Sequence, residues 1–511
     1  MSLQDLPPEL TESIVVLLSL SDTSSLRLTS RCLASKTAQE HLKARFRTKR
    51  VEITEQRLRS FVAVTSVGGL GCLLQDLTLV APVYNTSELA TRLRERGTRV
   101  ARLDEDGPFV RIGFDPFKRG DIRRTRLDLA VLKERLAEQN HLVSNQKDAE
   151  LLGQALANLA AHGGSLRRLR TEVEVYKDDT VTPLLPLFGG NWKPIWTAAA
   201  NVSRTLFASL AACNLPVQSL DLFNNTRMLR CSLYCDELNS VDFASGRLGQ
   251  SLSRLTELSL SISEGTVEQS SQNDVFEESN RQSGHDGLRS LLQTCPSVQT
   301  LDLGHFSLDR IEDSTVHFGR IIRALGESSL PCLKNLTLQG FKVTESELLT
   351  SLQGLETLRS LSLRYIQLIR GSFKRILDYC TIKAAMEKLE LESLFEHRVV
   401  GSLHEPRVIQ FESPWMVRPQ KTPPERFPAL RASYRRASDD EVGHQIKHHI
   451  HQAPIVVAVT YHNRDRRRPG DSPSIREWKQ DLKNRFGPLP ANGKPSCLQP
   501  HVPPEQLWRY G

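Results

Sequence analysis

Val298-Gln-Thr-Leu301-Asp-Leu303, Leu333-Lys-Asn-Leu336-Thr-Leu338 and Leu358-Arg-Ser-Leu361-Ser-Leu363 are three copies of one short pattern, apolar-x-x-Leu-x-Leu. Leucine alternates with polar residues in each copy, which predicts a short strand with its leucines turned toward a core. Four further full copies and one shortened copy occupy 74–79, 217–222, 255–260, 386–391 and 166–169. The middle of the chain is therefore expected to repeat one structural unit.

The segments between these copies have the spacing of amphipathic helices, at 288–292, 321–325 and 373–379. Strand plus helix, repeated, resembles the leucine-rich repeat family. From Leu220, the second leucines of successive copies are 38, 43, 35, 25 and 28 residues apart. The usual period is about 20–29 residues, so the resemblance implies an α/β fold in which an irregular solenoid of repeats carries insertions.

A curved solenoid presents one continuous concave sheet, and such surfaces usually bind protein. The resemblance therefore implies that the polar strand positions face outward, and that some of them contact a protein target. The outward positions are expected at Asp221, Phe223, Asp302, Thr337, Gln339, Ser362, Arg364, Glu390 and Glu392. Among them the predicted target-binding residues are Asp221, Phe223, Asp302, Gln339, Arg364, Glu390 and Glu392.

Two polar stretches interrupt the repeats. The longer, 264–287, is rich in Ser, Glu, Gln and Asn and is expected to be a solvated loop. The second, 104–128, contains Asp104-Glu-Asp106 and a basic run from Arg119 to Arg126. Both are interpreted as insertions that serve either as recognition loops or as spacers between repeats.

The first 46 residues have the pattern of short helices. Pro7-Pro8 predicts a helix start, because proline is tolerated in the first turn. Ser21-Asp22 is expected to break this run and to cap a second helix, and a third stretch runs over 33–46. So short a segment is small for an independent core, so it is expected to pack against a partner or the next domain.

This N-terminal segment resembles the F-box family. The family pattern opens with Leu-Pro-x-Glu-Leu and has an apolar residue four positions on; here Leu6-Pro7-Pro8-Glu9-Leu10 is followed by Ile14. The family's later apolar helix with a following arginine corresponds to Leu26-Arg27-Leu28-Thr29-Ser30-Arg31. Ser30 stands where valine is usual, and the usual tryptophan after it is absent. The resemblance covers less than a tenth of the chain.

The resemblance implies docking on a Skp-family adaptor, which links F-box proteins to a cullin–RING ubiquitin ligase. An apolar face too large for so small a fold would be completed by that partner. The implied docking residues are Leu6, Pro7, Glu9, Leu10, Ile14, Leu17, Leu18, Leu26 and Leu28. The alternative interpretation makes them only the core of a helical cap on the next domain. Several of these leucines are expected in a core under either interpretation.

Charge is unevenly distributed along the 511 residues, whose formal net charge is +8. Residues 1–50 contain 8 basic and 5 acidic side chains, and residues 420–511 contain 16 and 9. The 369 residues between them hold 43 and 45, so the basic excess belongs to the two ends. The final segment also holds 12 of the 26 prolines. These shifts predict an F-box at 1–50, the repeat domain at 51–400 and a partly folded basic region at 401–511.

The basic C-terminal region has one predicted strand, 455–461, and one predicted basic helix, 475–486. Arg464-Asp-Arg-Arg-Arg468 is interpreted as a solvated loop or as a contact for an acidic surface or nuclear import receptor. His444 and His448 have the spacing of one helix face, and Cys231 and Cys235 are also four apart. Neither pair has the further ligands that a structural zinc site needs, so no metal or cofactor is expected.

No catalytic motif is present in the sequence, so an enzyme is not expected. The leading prediction is a non-catalytic substrate receptor of an SCF-type ubiquitin ligase, with an unidentified protein target. The alternatives are a leucine-rich-repeat scaffold without a ligase role, and a nucleic-acid binder acting through the basic tail. The tail's few aromatic residues and interspersed acids disfavour nucleic acid. No membrane segment is predicted, and a cytoplasmic or nuclear location is expected.

Overall fold

The computed structural model describes most of the chain. The described residues are 3–37, 40–66, 69–103, 110–118, 120–176, 193–224, 231–263, 286–306, 319–382, 385–392, 394–400, 403–408 and 458–462. Within these ranges the protein is a mixed α/β structure with 15 α-helices and a mostly parallel main sheet. No helix there is both long and apolar enough to cross a membrane.

Four short helices form the N-terminal module. They are α1 (Pro8–Leu17), α2 (Leu20–Thr29), α3 (Arg31–Lys36) and α4 (Glu40–Phe46), preceded by a 3-10 helix at Leu3–Asp5. Helix α2 begins earlier than predicted, because Ser19 rather than Ser21-Asp22 caps it and accepts a hydrogen bond from the Asp22 backbone N–H. The expected third stretch is two helices, since Ser30 caps α3 and the turn after it ends that helix at Lys36.

The strands follow in chain order. They are β1 (Thr48–Glu52), β2 (Asp76–Tyr84), β3 (Gly97–Leu103), β4 (Val110–Pro116), β5 (Leu166–Tyr176), β6 (Val217–Leu222), β7 (Leu233–Tyr234), β8 (Glu257–Ser263), β9 (Thr300–Phe306), β10 (Asn335–Gln339), β11 (Lys342–Thr344), β12 (Ser360–Arg364), β13 (Gln367–Arg370), β14 (Lys388–Glu392), β15 (Phe395–Val400), β16 (Leu403–Val408) and β17 (Ala458–His462). Every copy of the leucine pattern overlaps one of these strands, which is the outcome that the alternation predicts.

The other helices connect these strands. They are α5 (Glu55–Ser66), α6 (Thr86–Glu95), α7 (Asp121–Ser144), α8 (Lys147–Ala161), α9 (Lys193–Ala212), α10 (Cys235–Asn239), α11 (Gly246–Leu252), α12 (Asp286–Thr294), α13 (Gly319–Glu327), α14 (Glu345–Gly354) and α15 (Phe373–Ile382), with a 3-10 helix at Gly69–Leu73. The three predicted interstrand helices lie within α12, α13 and α15. Because parallel strands need long crossover connections, helices between strands are the expected arrangement.

The main sheet has the strand order β1-β2-β5-β6-β8-β9-β10-β12-β14-β17, with β7 beside β8. All its pairings are parallel except the last, in which β17 lies antiparallel to β14. The leucines of neighbouring copies stand in register, as in Leu220 opposite Leu258 and Leu336 opposite Leu361. They are buried on the helix side of the sheet and form one continuous core with the helices.

Two smaller sheets complete the fold. One has the order β11-β13-β15-β16, and the other is the antiparallel hairpin β3–β4. The expected domain boundary at residue 400 falls inside the β15–β16 hairpin. The predicted insertion 104–128 is not a loop throughout, because 110–116 forms β4 and 121–128 begins α7.

Side chains tie successive units together. The Glu396 carboxylate in β15 accepts hydrogen bonds from the Phe373 backbone N–H at 2.7 Å and from the Ser372 hydroxyl at 2.9 Å. It thereby satisfies an orphan donor at the start of α15. The predicted strand at 455–461 overlaps β17. The polar stretch 264–285, the histidine cluster, the basic run after Arg464 and the predicted helix 475–486 lie outside the described residues.

Candidate functional site

The N-terminal module exposes an unusual number of large apolar side chains. Leu17 and Leu28 are 86% and 89% exposed, and Leu10 is 53% exposed. Together with Leu3 and Val16 they form what we call the N-terminal apolar surface. These five are more than half of the nine large apolar side chains found exposed among the described residues. Isolated exposed apolar residues are normal, whereas a concentration of them marks an interaction surface.

Other residues hold these helices together. The buried apolar side chains of the module are Val15, Leu33 and Leu42. Cationic side chains connect helices to backbone carbonyls: Lys36 Nζ donates to the Leu6 oxygen at 2.7 Å, and Arg45 donates to the Leu18 oxygen at 2.7 Å. The module therefore has its own small core and cross-links, and these leave the N-terminal apolar surface without cover.

The nine predicted adaptor-binding residues all lie in or beside α1 and α2. Leu6, Ile14, Leu18 and Leu26 are half-buried, whereas Pro7, Glu9, Leu10, Leu17 and Leu28 are exposed. None of the nine is fully buried, so the expectation that several leucines form the core is not met. Sequence reasoning missed Leu3 and Val16, although a helical projection places Val16 on the solvent side of α1.

The main sheet presents a polar face on the side opposite its leucines. Register pairing aligns one outward residue from each of nine strands: Arg50, Thr78, Arg170, Asp221, Ser259, Asp302, Thr337, Ser362 and Glu390. We call this row, with the outward positions two residues before and after it, the sheet face. Its middle strands carry hydroxyl and amide side chains together with carboxylates such as those of Asp221 and Asp302, and its arginines lie in strands toward the two ends.

Two predicted target-binding residues differ from expectation in exposure. Phe223 was expected on the outward surface, but its side chain is buried because the residue adopts a left-handed conformation, with φ of 64°, at the turn after β6. Asp221 lies on the sheet face but is also buried. Its carboxylate accepts a hydrogen bond from the Asn224 backbone N–H at 3.1 Å and lies 3.8 Å from Arg170 Nε.

Three of the predicted residues are brought together in one charged group. The Arg364 guanidinium lies 3.2 Å from the Glu390 carboxylate and 3.6 Å from the Glu392 carboxylate. Gln339 stands beside Arg364 in the register of β10 and β12. An open depression of about 650 Å³ adjoins this group; its lining residues include Thr300, Lys334, Asn335, Arg359, Ser360 and Lys388. The sheet face can therefore offer both hydrogen bonds and charges to a polar partner.

Asp302 lies near the centre of the sheet face. Burial raises the pKa of its carboxyl, while the Asn224 side chain and the nearby charge of Arg364 act in the opposite direction. Asn224 itself was not among the predicted residues. Polar residues that follow a strand are the signal that would have included Asn224.

Thiols and carboxylates in the described ranges do not assemble into a group of three or more that would hold a metal ion. Cys231 and Cys235 are both buried, and burial raises the pKa of the Cys231 thiol. The arrangement that the described residues provide is thus a pair of separate surfaces, one apolar and one polar. No protein-family model matches the chain, and no curated protein is significantly similar to it in sequence.

Proposed function

We propose that this chain is a non-catalytic substrate receptor of an SCF-type ubiquitin ligase. In this proposal the N-terminal module is an F-box that docks a Skp-family adaptor, and the sheet face belongs to an irregular leucine-rich-repeat solenoid that holds a protein target. The observation that carries the proposal is the exposure of Leu10, Leu17 and Leu28 in a segment with the Leu-Pro-x-Glu-Leu motif.

Exposed leucines are costly unless a partner covers them. Complete burial of one leucine side chain stabilises a complex or a fold by about 1.5–3 kcal/mol. A partner that covers both Leu17 and Leu28 would therefore gain substantial binding free energy. A helical cap on the next domain would be expected to turn these side chains inward. Here the inward positions are taken by Val15, Leu33 and Leu42 instead, which favours the F-box interpretation over the scaffold alternative.

The sheet face supports the second half of the proposal. Parallel strands in register, with aligned leucines on one side and polar side chains on the other, are what a leucine-rich repeat requires. The receptor would act by positioning, since it would hold the target near a ligase that supplies the chemistry. Such a role belongs in the cytoplasm or the nucleus, where cullin–RING ligases operate.

The test is co-purification of the full chain with a Skp-family adaptor. The combined variant Leu17→Asp/Leu28→Asp should abolish adaptor binding, because it places charges on the two most exposed apolar side chains of the proposed contact. Both side chains are almost fully exposed in the free chain, so the fold should be retained, as monitored by circular dichroism. Val64→Asp is the matched control, since Val64 is an exposed apolar residue on α5.

Glu9→Ala gives a second readout. Glu9 is exposed on the first turn of α1. If the chain is only a scaffold, Glu9→Ala should have no effect. If Glu9 contacts the adaptor, the substitution should weaken adaptor binding. Retention of adaptor binding by the combined leucine variant, or failure of the intact chain to bind any Skp-family adaptor, would refute the proposal. In the latter case a repeat scaffold without a ligase role would be the better description.

A further inference from the structure

A third exposed surface, formed by other residues than the N-terminal apolar surface and the sheet face, lies at the start of helix α7. Helix α7 turns Ile122, Arg123, Arg126 and Leu127 toward solvent in its first two turns. Leu127 is 60% exposed. We call these four residues, together with the exposed Arg124, the α7 surface. It combines large apolar side chains with a concentrated positive charge.

The α7 surface concentrates three arginines within four positions of the chain. Ion pairs engage ten arginines elsewhere in the described ranges: Arg50, Arg59, Arg167, Arg170, Arg204, Arg289, Arg323, Arg359, Arg364 and Arg375. Arg123, Arg124 and Arg126 are exposed and have no ion pair or side-chain hydrogen bond with any described residue. Three guanidinium groups within four positions are thus available to an external anion.

This arrangement opposes the stability of the isolated helix. Arg123 and Arg124 lie in the first turn of α7, where the positive end of the helix dipole disfavours cations. Arg123 and Arg126 are three positions apart, so their like charges repel on one face of the helix. Exposure of Leu127 beside them adds uncovered apolar area. An acidic partner with apolar side chains would relieve all three costs at once.

We propose that the α7 surface docks an acidic, amphipathic segment of another protein. Its carboxylates would pair with Arg123, Arg124 and Arg126, for which the planar guanidinium offers bidentate contacts. Its apolar side chains would cover Ile122 and Leu127. The surface is formed by residues outside the N-terminal apolar surface and the sheet face, so the inference does not depend on a ligase role.

Charge distribution favours a protein segment over a continuous polyanion. Asp115, Asp121 and Asp128 belong to the same stretch of chain as the three arginines. A nucleic-acid backbone or an anionic membrane presents closely spaced negative charges over a wide area, and these would meet the aspartates as well. A single acidic helix or strand can place its few carboxylates at the arginines alone.

The experiment uses the full chain and a fluorescein-labelled helical peptide with one glutamate-rich face and one leucine-rich face. Binding is followed by fluorescence anisotropy. A second peptide of the same charge has serine in place of leucine. Phosphatidylcholine–phosphatidylserine vesicles and duplex DNA serve as the competing classes of ligand. Two variants of the full chain are compared with the parent chain. One is Arg123→Glu/Arg126→Glu, called the α7 charge variant, and the other is Leu127→Ser.

Matched controls separate this surface from net charge. Arg247→Glu/Arg254→Glu makes the same change in charge at two exposed arginines in and after α11, and Val64→Ser matches Leu127→Ser. We expect the α7 charge variant and Leu127→Ser each to weaken peptide binding about tenfold or more, whereas both control variants should bind the peptide as the parent chain does.

Three results would overturn the proposal. Unchanged peptide binding by the α7 charge variant would show that the arginines do not take part. Equal binding of the leucine and serine peptides would show that apolar contacts do not contribute to peptide binding. Arginine-dependent binding of vesicles or DNA without binding of the peptide would assign the surface to a different class of ligand.

Discussion

Asn224 donates a hydrogen bond of 2.9 Å from its side-chain amide to the hydroxyl of Ser259, which ties the turn after β6 to β8. The same amide lies 3.4 Å from the backbone oxygen of Asp302 in β9. A Cβ atom at Gly304 would lie only 2.6 Å from Asn224 Oδ1, so the backbone of β9 approaches this side chain closely. One asparagine therefore connects three neighbouring strands of the main sheet.

Replacement of Asn224 by alanine should destabilise the fold. The change removes the amide that donates a hydrogen bond to Ser259 and that also lies near the Asp302 backbone oxygen. Both of these interactions are partly buried. We expect a loss of about 1–3 kcal/mol in the free energy of unfolding, measured by urea denaturation followed by circular dichroism.

Asn335 provides the matched control for this change. Its side chain donates to the Thr300 hydroxyl at 3.0 Å on the same sheet face, but this hydrogen bond is exposed to solvent, because Asn335 is exposed and Thr300 is only half-buried. Asn335→Ala should change the free energy of unfolding by less than about 0.5 kcal/mol. Equal effects of the two substitutions would show that the bridge across β6, β8 and β9 has no special role.

Asp302→Asn should stabilise the protein at neutral pH. Burial raises the pKa of this carboxyl in the folded chain, so folding disfavours its ionised form. The resulting penalty is complete at pH values above the folded pKa, declines as the pH falls through it, and vanishes below the unfolded value of about 3.9. Asparagine keeps the shape of the side chain without the charge.

The measurement is the melting temperature of both chains between pH 4 and pH 8. We expect the variant to melt a few degrees higher at pH 7, with the difference shrinking toward pH 4. Glu257→Gln neutralises an exposed carboxylate on the same sheet face and should produce no such trend. A variant less stable than the parent at pH 7 would mean that Arg364 and Asn224 outweigh the cost of burial.

Removal of residues 409–511 should destabilise the last parallel strand of the sheet. β17 is the antiparallel partner of β14 through five register pairs, and its loss would leave an unpaired strand edge that invites association. We expect a lower melting temperature and larger species in size-exclusion chromatography. A chain that ends at His462 retains β17 and should behave like the full chain, so similar behaviour of both truncations would contradict the prediction.

Local patterns were sufficient to predict much of the secondary structure. The alternation in copies such as 333–338 predicts strands because side-chain direction in a strand depends only on residue parity. The same reasoning did not anticipate that Phe223 is buried, since a left-handed turn residue breaks the alternation. Nor did it anticipate β4 within 110–116, whose polar surroundings resembled a loop.

The candidate surfaces were predicted less completely. The motif at Leu6–Leu10 is the basis for proposing a docking role for the N-terminal segment, and helical periodicity grouped Leu10, Ile14 and Leu17 on one face of α1. Periodicity does not say which face of a short helix is buried when both faces carry apolar residues. The α7 surface was missed for a related reason, because the pairing or isolation of an arginine depends on neighbours distant in sequence.

By itself, the sequence determined the mixed α/β class, the positions of the repeated strands and the location of the N-terminal motif, because these depend on interactions between residues close along the chain. Only the tertiary structure decided that Leu17 and Leu28 face solvent, that Asp221 and Asp302 share one row, and that Arg123 and Arg126 form no ion pair with another described residue. Exposure and pairing are set by packing between elements far apart in the chain, and no local pattern encodes them.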